Sequence, residues 1–284
     1  MVTLADYKGQ KPAWCPGCGN FGILTAFKRA MFELGVEPHE FVIVSGIGQS
    51  GKFPHYTQCN TFNGLHGRTL PVATAIRLAN HDMPVWAFAG DGDCYGEGGN
   101  HWIHAMQRNI NVKLVVHDNQ VYGLTKGQPS PTSMPGMKVT SLPTSVLTDA
   151  LNPLPVAISM GCSFVARGFA GEVDQLAELF KETWNHKGFA LLDIFQPCVT
   201  WNKLNTFEWY RQHCYRIEDS HDPSDFDRAF ELSLEFGESI PTGVIYRNER
   251  RTYEERLPVL AGMPPVVRRN QEPMNLRQTV QEFY

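Results

Sequence analysis

Asp91 stands between Gly90 and Gly92, just after the apolar run 85–88. Glycine lets a backbone approach a ligand closely, and a carboxylate supplies the hard oxygen that Mg²⁺ prefers. In open parallel sheets, ligands bind outside the carboxyl ends of the strands. These residues therefore predict a turn at a strand end that binds a diphosphate through a divalent metal.

A second oxygen ligand follows this turn. After Gly92 come 26 residues and then Asn119, behind another apolar run at 112–116. Two neighbouring strand ends joined by one helix would bring Asp91 and Asn119 together, and the turn at Val121 can offer a backbone carbonyl as a third ligand. This spacing matches the thiamine diphosphate signature. Plain β-turns are the alternative, but two such turns behind buried strands favour the cofactor site.

Short apolar runs show which elements must position these turns. Continuous rather than alternating apolarity is typical of strands buried on both faces of a parallel sheet. The predicted strands are 41–44, 85–88, 112–116, 162–166 and 189–194, and the predicted helices are 20–35, 71–80, 97–109 and 172–187. Their alternation predicts an α/β fold with a doubly wound, mostly parallel sheet.

Composition limits the classes of partner and compartment. The 284 residues, 42% of them hydrophobic, predict one main domain at 1–222 and a tail at 223–284 that is either solvated or a subunit contact. A net charge of −4 gives no reason to expect a nucleic-acid or anionic-membrane partner. The start lacks a signal-peptide pattern, and no uncharged apolar run approaches about 18 residues. We therefore expect a soluble cytoplasmic protein.

Cysteine spacing indicates metal or redox chemistry. Two of the seven cysteines form the pair Cys15 and Cys18 with two residues between them. In a chain without a secretory signal, this pair favours a metal site over a disulfide. An iron–sulfur cluster or a structural zinc usually requires about four ligands. The candidates to complete the site are Cys59, Cys94, Cys162, Cys198 and Cys214.

The segment from Gly46 to Gly51 contains the spacing G-x-G-x-x-G after a predicted strand. A dinucleotide-binding turn should open a helix and meet an acid about 20 residues later. Here Pro54 follows almost at once and no acid stands near 65–68. The loop is therefore interpreted as a cradle for phosphate or substrate, with Lys52 available to a carboxylate.

Six stretches together resemble a known family, the beta subunits of 2-oxoacid:ferredoxin oxidoreductases. They are WCPGCGNFGIL (14–24), VSGIGQSGKFPHY (44–56), LHGRTLP (65–71), GDGDCYGEGGNH (90–101), DNQVYGLTKGQPSPT (118–132) and FQPC (195–198). The resemblance implies oxidative decarboxylation of a 2-oxoacid to acyl-CoA and CO₂, with reduction of ferredoxin. The reverse, carboxylating direction would use the same residues.

The resemblance also implies the cofactors thiamine diphosphate, Mg²⁺ and one 4Fe-4S cluster. It assigns Mg²⁺ to Asp91, Asn119 and the Val121 carbonyl. The residues expected to bind the organic cofactor are Gly46, Ile47, Gly48, His66, Gly90, Asp91, Gly92, Asp93, Cys94, Asn119, Val121, Tyr122, Gly123, Leu124 and Thr125.

For the cluster, the resemblance assigns Cys15, Cys18 and Cys198. The family often has its remaining cluster cysteine where this chain has Gln49, and we expect Cys59 to replace it.

Substrate residues follow from the same resemblance. The TKGQ segment at 125–128 resembles members that act on 2-oxoglutarate or on a broad range of 2-oxoacids, pyruvate among them. Lys52 and Lys126 are candidates for binding substrate carboxylates, and Leu124 for limiting the substrate side chain. His66 is a candidate proton donor, and Arg68 could assist with an anion.

The family further implies partners. Thiamine enzymes need a glutamate at the aminopyrimidine, and this chain has room only for the diphosphate-binding domain. We therefore expect an obligate alpha subunit in an αβ dimer of dimers, with ferredoxin, a 2-oxoacid and coenzyme A as reaction partners. The alternatives are a subunit of a redox-silent thiamine lyase or synthase with zinc at the cysteine pair, and a non-catalytic, zinc-stapled scaffold.

Overall fold

The computed structural model describes residues 2–268 and 280–281, and eight of its strands form one sheet in the order β2-β1-β3-β4-β8-β7-β10-β9. The strands in chain order are β1 (Val42–Ser45), β2 (Asn60–Asn63), β3 (Val85–Gly90), β4 (Lys113–Asp118), β5 (Val121–Tyr122), β6 (Gln128–Pro129), β7 (Phe164–Phe169), β8 (Ala190–Phe195), β9 (Cys214–Arg216) and β10 (Ile240–Arg247). Strands β5 and β6 form a separate antiparallel pair.

Helices cover both faces of this sheet. They are α1 (Asn20–Glu33), α2 (Thr69–Ala79), α3 (Gly99–Arg108), α4 (Pro153–Ser159), α5 (Val173–Asn185), α6 (Phe207–His213), α7 (Phe226–Leu234) and α8 (Tyr253–Arg256). Buried side chains of α1 and α5 form the core on one face, and those of α2, α3, α4 and α7 form the core on the other. Every pairing in the eight-stranded sheet is parallel except that of β10 with β7. The predicted doubly wound, mostly parallel α/β fold is confirmed.

Alternate residues of each central strand contribute to opposite cores. In β3, Trp86 and Phe88 face α1 and α5, whereas Val85 and Ala87 face the other layer. The Phe27 ring of α1 meets the rings of Trp86 and Phe88 nearly edge-on, with 5.3 Å between centroids. Such edge-to-face pairs stabilise a core beyond the area that they bury. The aromatic packing therefore fixes the helix layer against the strands that carry the site.

The C-terminal region differs from the predicted tail at 223–284. Strand β10 pairs with β7, and α7 buries Ala229 and Leu232 in the same core as α2 and α3. The boundary expected at residue 222 is therefore corrected, since at least α7 and β10 are integral to the sheet. Pro241 and Gly243 weaken the strand pattern of β10 in the sequence, which explains why it was missed. Residues 269–279 and 282–284 of the expected tail lie outside the described residues.

No helix within the described ranges combines the length and the apolarity needed to cross a bilayer.

One buried cation lies at the start of β4, at the edge opposite the predicted site. The Lys113 ammonium donates to Asn111 Oδ1 at 2.7 Å and to the Gly188 carbonyl at 3.2 Å, and it also contacts the His186 carbonyl. Burial lowers the pKa of Lys113 from 10.5 to about 7. Between these two values the folded chain binds fewer protons than the unfolded chain, so this group makes stability rise with pH.

We expect Lys113→Met to flatten the rise of stability with pH, because the variant keeps the apolar stem and removes the titrating group. The measurement is the free energy of unfolding in urea at about pH 7 and about pH 9. The exposed Lys138→Met is the matched control and should keep the slope of the parent chain. An unchanged slope in Lys113→Met would show that another group carries the effect.

Candidate functional site

Loops that follow β1, β3 and β4 meet at one edge of the sheet and surround a pocket. The residues that line it are Ile47, Gly48, Gln49, Ser50, His66, Gly90, Asp91, Gly92, Asp93, Asn119, Val121, Tyr122, Gly123, Leu124 and Thr125. All of these except Gln49 and Ser50 were predicted as site residues from the sequence. The structure thus brings the Gly90-Asp91-Gly92 turn and the Asn119 turn together, as their spacing required.

The carboxylate of Asp91 is buried at the bottom of this pocket, with 1% of the residue exposed. A single turn of π-helix, Gly92–Glu97, follows it, and such turns are frequent at functional sites. The Thr132 hydroxyl lies 2.7 Å from Asp91 Oδ2 and 2.7 Å from Asp118 Oδ1. One hydroxyl carries one proton and cannot donate to both carboxylates at once. The Ser130 hydroxyl and the Gly92 backbone N–H also donate to Asp91, so this carboxylate keeps other donors when the Thr132 hydroxyl donates to Asp118.

Burial has a direct electrostatic consequence for these two acids. It raises the pKa of Asp91 to about 6, and burial together with the charges of Asp193 and Asp91 raises the pKa of Asp118 well above its usual range. Groups with such perturbed pKa values cluster at functional sites. A divalent cation beside Asp91 would favour the charged carboxylate.

The Asn119 turn is held in a kinked conformation. Gln120 has a left-handed backbone, with φ of 61°. The Val121 N–H donates to Asn119 Oδ1 at 3.0 Å, and Asn119 Nδ2 donates to Gln196 Oε1 at 3.1 Å. Within residues 2–268 and 280–281, no three His, Cys, Asp or Glu side chains are gathered to hold a metal ion. A magnesium site here would therefore include amide and carbonyl oxygens, as the sequence predicts.

Asp93 joins three loops rather than lying free in the pocket. Its Oδ1 accepts hydrogen bonds from the backbone N–H of Gly67 at 2.8 Å and of Ile47 at 3.1 Å, and its Oδ2 accepts one from the Thr69 hydroxyl at 3.0 Å. The His66 Nδ1 atom lies 2.6 Å from the same Oδ1. The carboxylate therefore fixes the loop after β1 and the start of α2 against the turn after β3.

Two residues of the site had no sequence signal that pointed to them. Glu97 Oε2 lies 3.2 Å from His66 Nε2 and 3.1 Å from the Tyr122 hydroxyl, so it links the two side chains. Thr132 bridges Asp91 and Asp118 from 41 residues further along the chain than Asp91. Spacing within a motif could not indicate either contact, because each depends on how distant loops fold together.

Several residues predicted for the site lie outside the pocket wall. Arg68 contacts His101 Nε2 at 2.9 Å, and Lys126 is exposed with φ of 77°. Lys52 is half-buried in the 3₁₀ turn that follows the loop after β1. Cys94 differs from expectation, because the chain turns it into the core beneath the site, where burial raises the pKa of its thiol well above the usual range.

Gly46 also lies behind the pocket wall. A Cβ at this position would come 2.0 Å from Asp93 Oδ2, so only glycine permits the close approach of this backbone to the carboxylate.

A second pocket shares a wall with the first and contains three of the predicted cluster cysteines. Its lining residues are Trp14, Cys15, Cys18, Gln49, Asn119, Gly123, Gln196, Cys198, Val199, Thr200 and Trp201. The Cys15 sulfur accepts a hydrogen bond from the Thr200 hydroxyl at 3.1 Å, and the Cys18 sulfur accepts one from Gln196 Nε2 at 3.3 Å. Burial raises the pKa of Cys18 to about 11, and the neighbouring Cys198 and Cys15 add to this effect.

The structure does not bring Cys59 to these three thiols. Its sulfur lies 3.9 Å from the Thr57 carbonyl and packs against the core that α1 and α5 form. Burial raises its pKa to about 12, and Lys28 is the charged group that acts on it. Cys59, which was expected to replace the cysteine absent at position 49, therefore does not lie at the thiol pocket. The chain turns away into β2 after Tyr56.

Two family models match the chain. One, described as the C-terminal TPP binding domain of thiamine pyrophosphate enzymes, matches residues 46–194. The other, described as the C-terminal part of the pyruvate ferredoxin oxidoreductase beta subunit, matches residues 198–262. The first match contains every residue of the pocket around Asp91, and the second begins at Cys198.

Individual relatives agree with these matches. The chain is 47% identical over 268 residues to the beta subunit of a 2-oxoacid:ferredoxin oxidoreductase of Sulfolobus sp., with 89% of this chain and 88% of the relative covered. It is 42% identical over 193 residues to the 2-oxoglutarate oxidoreductase subunit KorB of Mycobacterium tuberculosis, covering 68% of this chain and 52% of that one.

Among solved structures, the chain is similar to the 2-oxoglutarate:ferredoxin oxidoreductase from Magnetococcus marinus with 2-oxoglutarate, coenzyme A and succinyl-CoA bound. The TM-score is 0.91 at 36% identity, with 100% of this chain and 96% of that one covered.

We expect Gly46→Ala to destabilise the folded chain by about 1–3 kcal/mol, because the added methyl group must displace the Asp93 carboxylate. Gly99→Ala is the matched control, since a Cβ there meets nothing within 4 Å and alanine suits a helix. Urea unfolding of both variants measures the difference. Equal stabilities would show that the loop after β1 accommodates a side chain.

Proposed function

The chain belongs to the beta subunits of the 2-oxoacid:ferredoxin oxidoreductases, and on that premise we propose that it binds thiamine diphosphate with Mg²⁺ in the pocket around Asp91 and Asn119. Together with an alpha subunit it would oxidise a 2-oxoacid, with 2-oxoglutarate favoured, to an acyl-CoA and CO₂ and reduce ferredoxin. The reverse, carboxylating reaction would use the same residues. The single observation that carries the proposal is the meeting of the two turns in one pocket at the carboxyl edge of the sheet.

The residues present fit this cofactor. Burial raises the pKa of Asp91 to about 6, and a divalent cation beside this carboxylate would favour its charged form. The carboxylate of Asp91, the amide oxygen of Asn119 and the carbonyl of Val121 would hold Mg²⁺. Gly90 and Gly92 line the pocket, and the space that a side chain at Gly92 would occupy holds the Tyr122 ring, 2.2 Å from the position of a Cβ.

Thiamine diphosphate, when bound, supplies the nucleophilic carbon and the electron sink that decarboxylation of a 2-oxoacid requires. This chain's own residues orient the reactants and manage protons. His66, with 39% of its side chain exposed, lies between Asp93 and Glu97. Since Asp93 is an anchored acceptor, Nδ1 of His66 carries a proton, and Nε2 is the atom that can hold or transfer one on the Glu97 side. This arrangement supports His66 as an acid or base.

Substrate contacts divide between the pocket and its rim. Leu124, 45% exposed, lines the pocket and would contact the carbon chain of the substrate. Lys52 and Lys126 do not line it, so either lysine could bind a substrate carboxylate only outside the pocket. The solved relative from Magnetococcus marinus has 2-oxoglutarate and coenzyme A bound, which supports a dicarboxylic substrate for this chain.

The three thiols of Cys15, Cys18 and Cys198 would hold the iron–sulfur cluster that passes electrons to ferredoxin. They line a common pocket without converging on one point as the ligands of a single metal ion do, and hydrogen bonds from Thr200 and Gln196 to two of the sulfurs are the kind of contact that tunes a cluster. Gln49, Asn119 and Gly123 line both this pocket and the cofactor pocket. The two cofactors would therefore be neighbours.

In the co-expressed complex with its alpha subunit, we expect Asp91→Asn to lower thiamine diphosphate content and 2-oxoglutarate-dependent ferredoxin reduction by more than about 100-fold, because the amide cannot supply the anionic ligand. The iron content of the Asp91→Asn complex should equal that of the parent complex. The exposed Asp219→Asn serves as the matched control and should retain the cofactor. Full cofactor content in Asp91→Asn would contradict the metal assignment.

The beta chain alone should show no 2-oxoacid oxidation, and addition of the alpha subunit should restore it. Within the described ranges the pocket lining includes no glutamate, and the nearby Glu97 is engaged by His66 and Tyr122, so we expect the carboxylate needed at the aminopyrimidine to come from the partner. The measurement is ferredoxin reduction by the purified chain with and without the alpha subunit. Turnover by the single chain would contradict the obligate partnership. A colourless complex that contains zinc would favour the redox-silent alternatives.

A further inference from the structure

Gln49 has a buried side-chain oxygen without a partner. Its Oε1 atom lies out of contact with solvent and accepts no hydrogen bond within the part of the chain that the structure describes. A buried acceptor left unpaired is destabilising, and native proteins rarely retain one without a reason. The side chain lines both the cofactor pocket and the pocket of the three thiols. This oxygen is therefore free to accept a hydrogen bond or to bind a ligand at the wall between the two pockets.

The position of Gln49 relative to the cysteine pair is fixed by the fold. The Trp14 indole N–H donates to the Gln49 carbonyl at 2.8 Å, and Trp14 directly precedes Cys15. The indole is 6% exposed and packs edge-on against the Tyr56 ring at 4.7 Å. These two contacts hold the loop after β1 against the cysteine motif. They keep Gln49 at the wall of the thiol pocket.

No other cysteine shares this pocket. All seven cysteines lie within the described residues, and only Cys15, Cys18 and Cys198 line it. Cys94 and Cys162 are buried in the core on the α2 and α3 side, and Cys59 packs against the opposite core. Cys214, the first residue of β9, packs against a smaller cluster that contains Phe169 and Phe195. Three thiolates are therefore available from this chain for a cluster that ordinarily takes four.

We propose that the fourth ligand position of the cluster is occupied by Gln49 Oε1 instead of a thiolate, an inference that rests on the proposed function. A neutral amide oxygen is a weaker and harder ligand than the thiolates that iron–sulfur clusters prefer. The iron next to Gln49 is therefore exchangeable, whereas the other three are held firmly by Cys15, Cys18 and Cys198.

Replacement of a thiolate by a neutral amide would also remove one negative charge from the cluster. With three thiolates rather than four, the cluster carries one negative charge less, and an added electron is repelled less strongly. Gln49→Cys should therefore lower the reduction potential of the cluster relative to the parent chain. The direction of this shift is independent of catalytic turnover.

The test uses the complex with the alpha subunit, purified without oxygen, in the parent form and as Gln49→Cys and Cys59→Ala. Each is treated with one equivalent of ferricyanide, and bound iron and the electron paramagnetic resonance spectrum are recorded. Removal of the exchangeable iron converts [4Fe-4S]²⁺ into [3Fe-4S]⁺ and Fe²⁺, and the released electron reduces ferricyanide. We expect the parent complex to lose about one of about four irons and to develop a three-iron signal that added Fe²⁺ and dithionite reverse.

Gln49→Cys should keep its iron and give no three-iron signal, whereas Cys59→Ala should behave like the parent. If Gln49→Cys does not fold, Gln49→Ala takes its place and should lose the exchangeable iron faster than the parent, and loss at the parent's rate overturns the inference. A parent complex that retains all its iron, or a Cys59→Ala variant that loses the cluster, overturns the inference alone. A parent complex with thiamine diphosphate but no iron overturns the proposed redox function as well.

Discussion

The geometry of the site depends on the hydrogen bonds that the Asp93 carboxylate accepts. This carboxylate accepts hydrogen bonds from two backbone N–H groups and one hydroxyl in loops that are separated along the chain, and it contacts the His66 ring. Hydrogen bonds to a buried carboxylate are among the stronger ones in proteins. Because this one anion joins the loop after β1 to the turn after β3, the pocket walls keep a fixed spacing. The glycine at 46 is a consequence, since any larger residue would occupy the space of the carboxylate.

Below this anchor lies a row of buried acids whose charges are only partly balanced. Asp193 pairs with the guanidinium of Arg167 at 3.4 Å and accepts a hydrogen bond from Tyr95 at 2.8 Å. Asp118 and Asp91 share the Thr132 hydroxyl, and Asp91 also accepts hydrogen bonds from the Ser130 hydroxyl and the Gly92 N–H. Buried charges without partners are costly, so the chain retains this arrangement at the expense of its own stability. Such an arrangement is typical of a site built for a cation.

Much of the fold and of the candidate site could be predicted from the sequence, for a physical reason. Strands buried on both faces, such as β3 and β4, have continuous apolar runs that only a parallel sheet explains, and the two turns at their ends carry chemistry at a fixed spacing. Strand β2 was not predictable in this way, because all four of its residues are exposed at the sheet edge. Likewise, the placement of Cys59 depends on how the chain runs into that edge strand, which no local pattern reveals. The family resemblance drawn from six motifs is confirmed by the relatives, whereas the ligand roles of individual residues stay predictions.

The wall that the two pockets share has a kinetic consequence. Gln49, Asn119 and Gly123 each contact both spaces, so a single layer of residues separates them. Electron tunnelling slows exponentially with distance, and across so thin a partition it outpaces bond-making and bond-breaking. Under the proposed function, the loops after β1 and β4 would therefore separate the two cofactors chemically while still allowing electrons to pass between them.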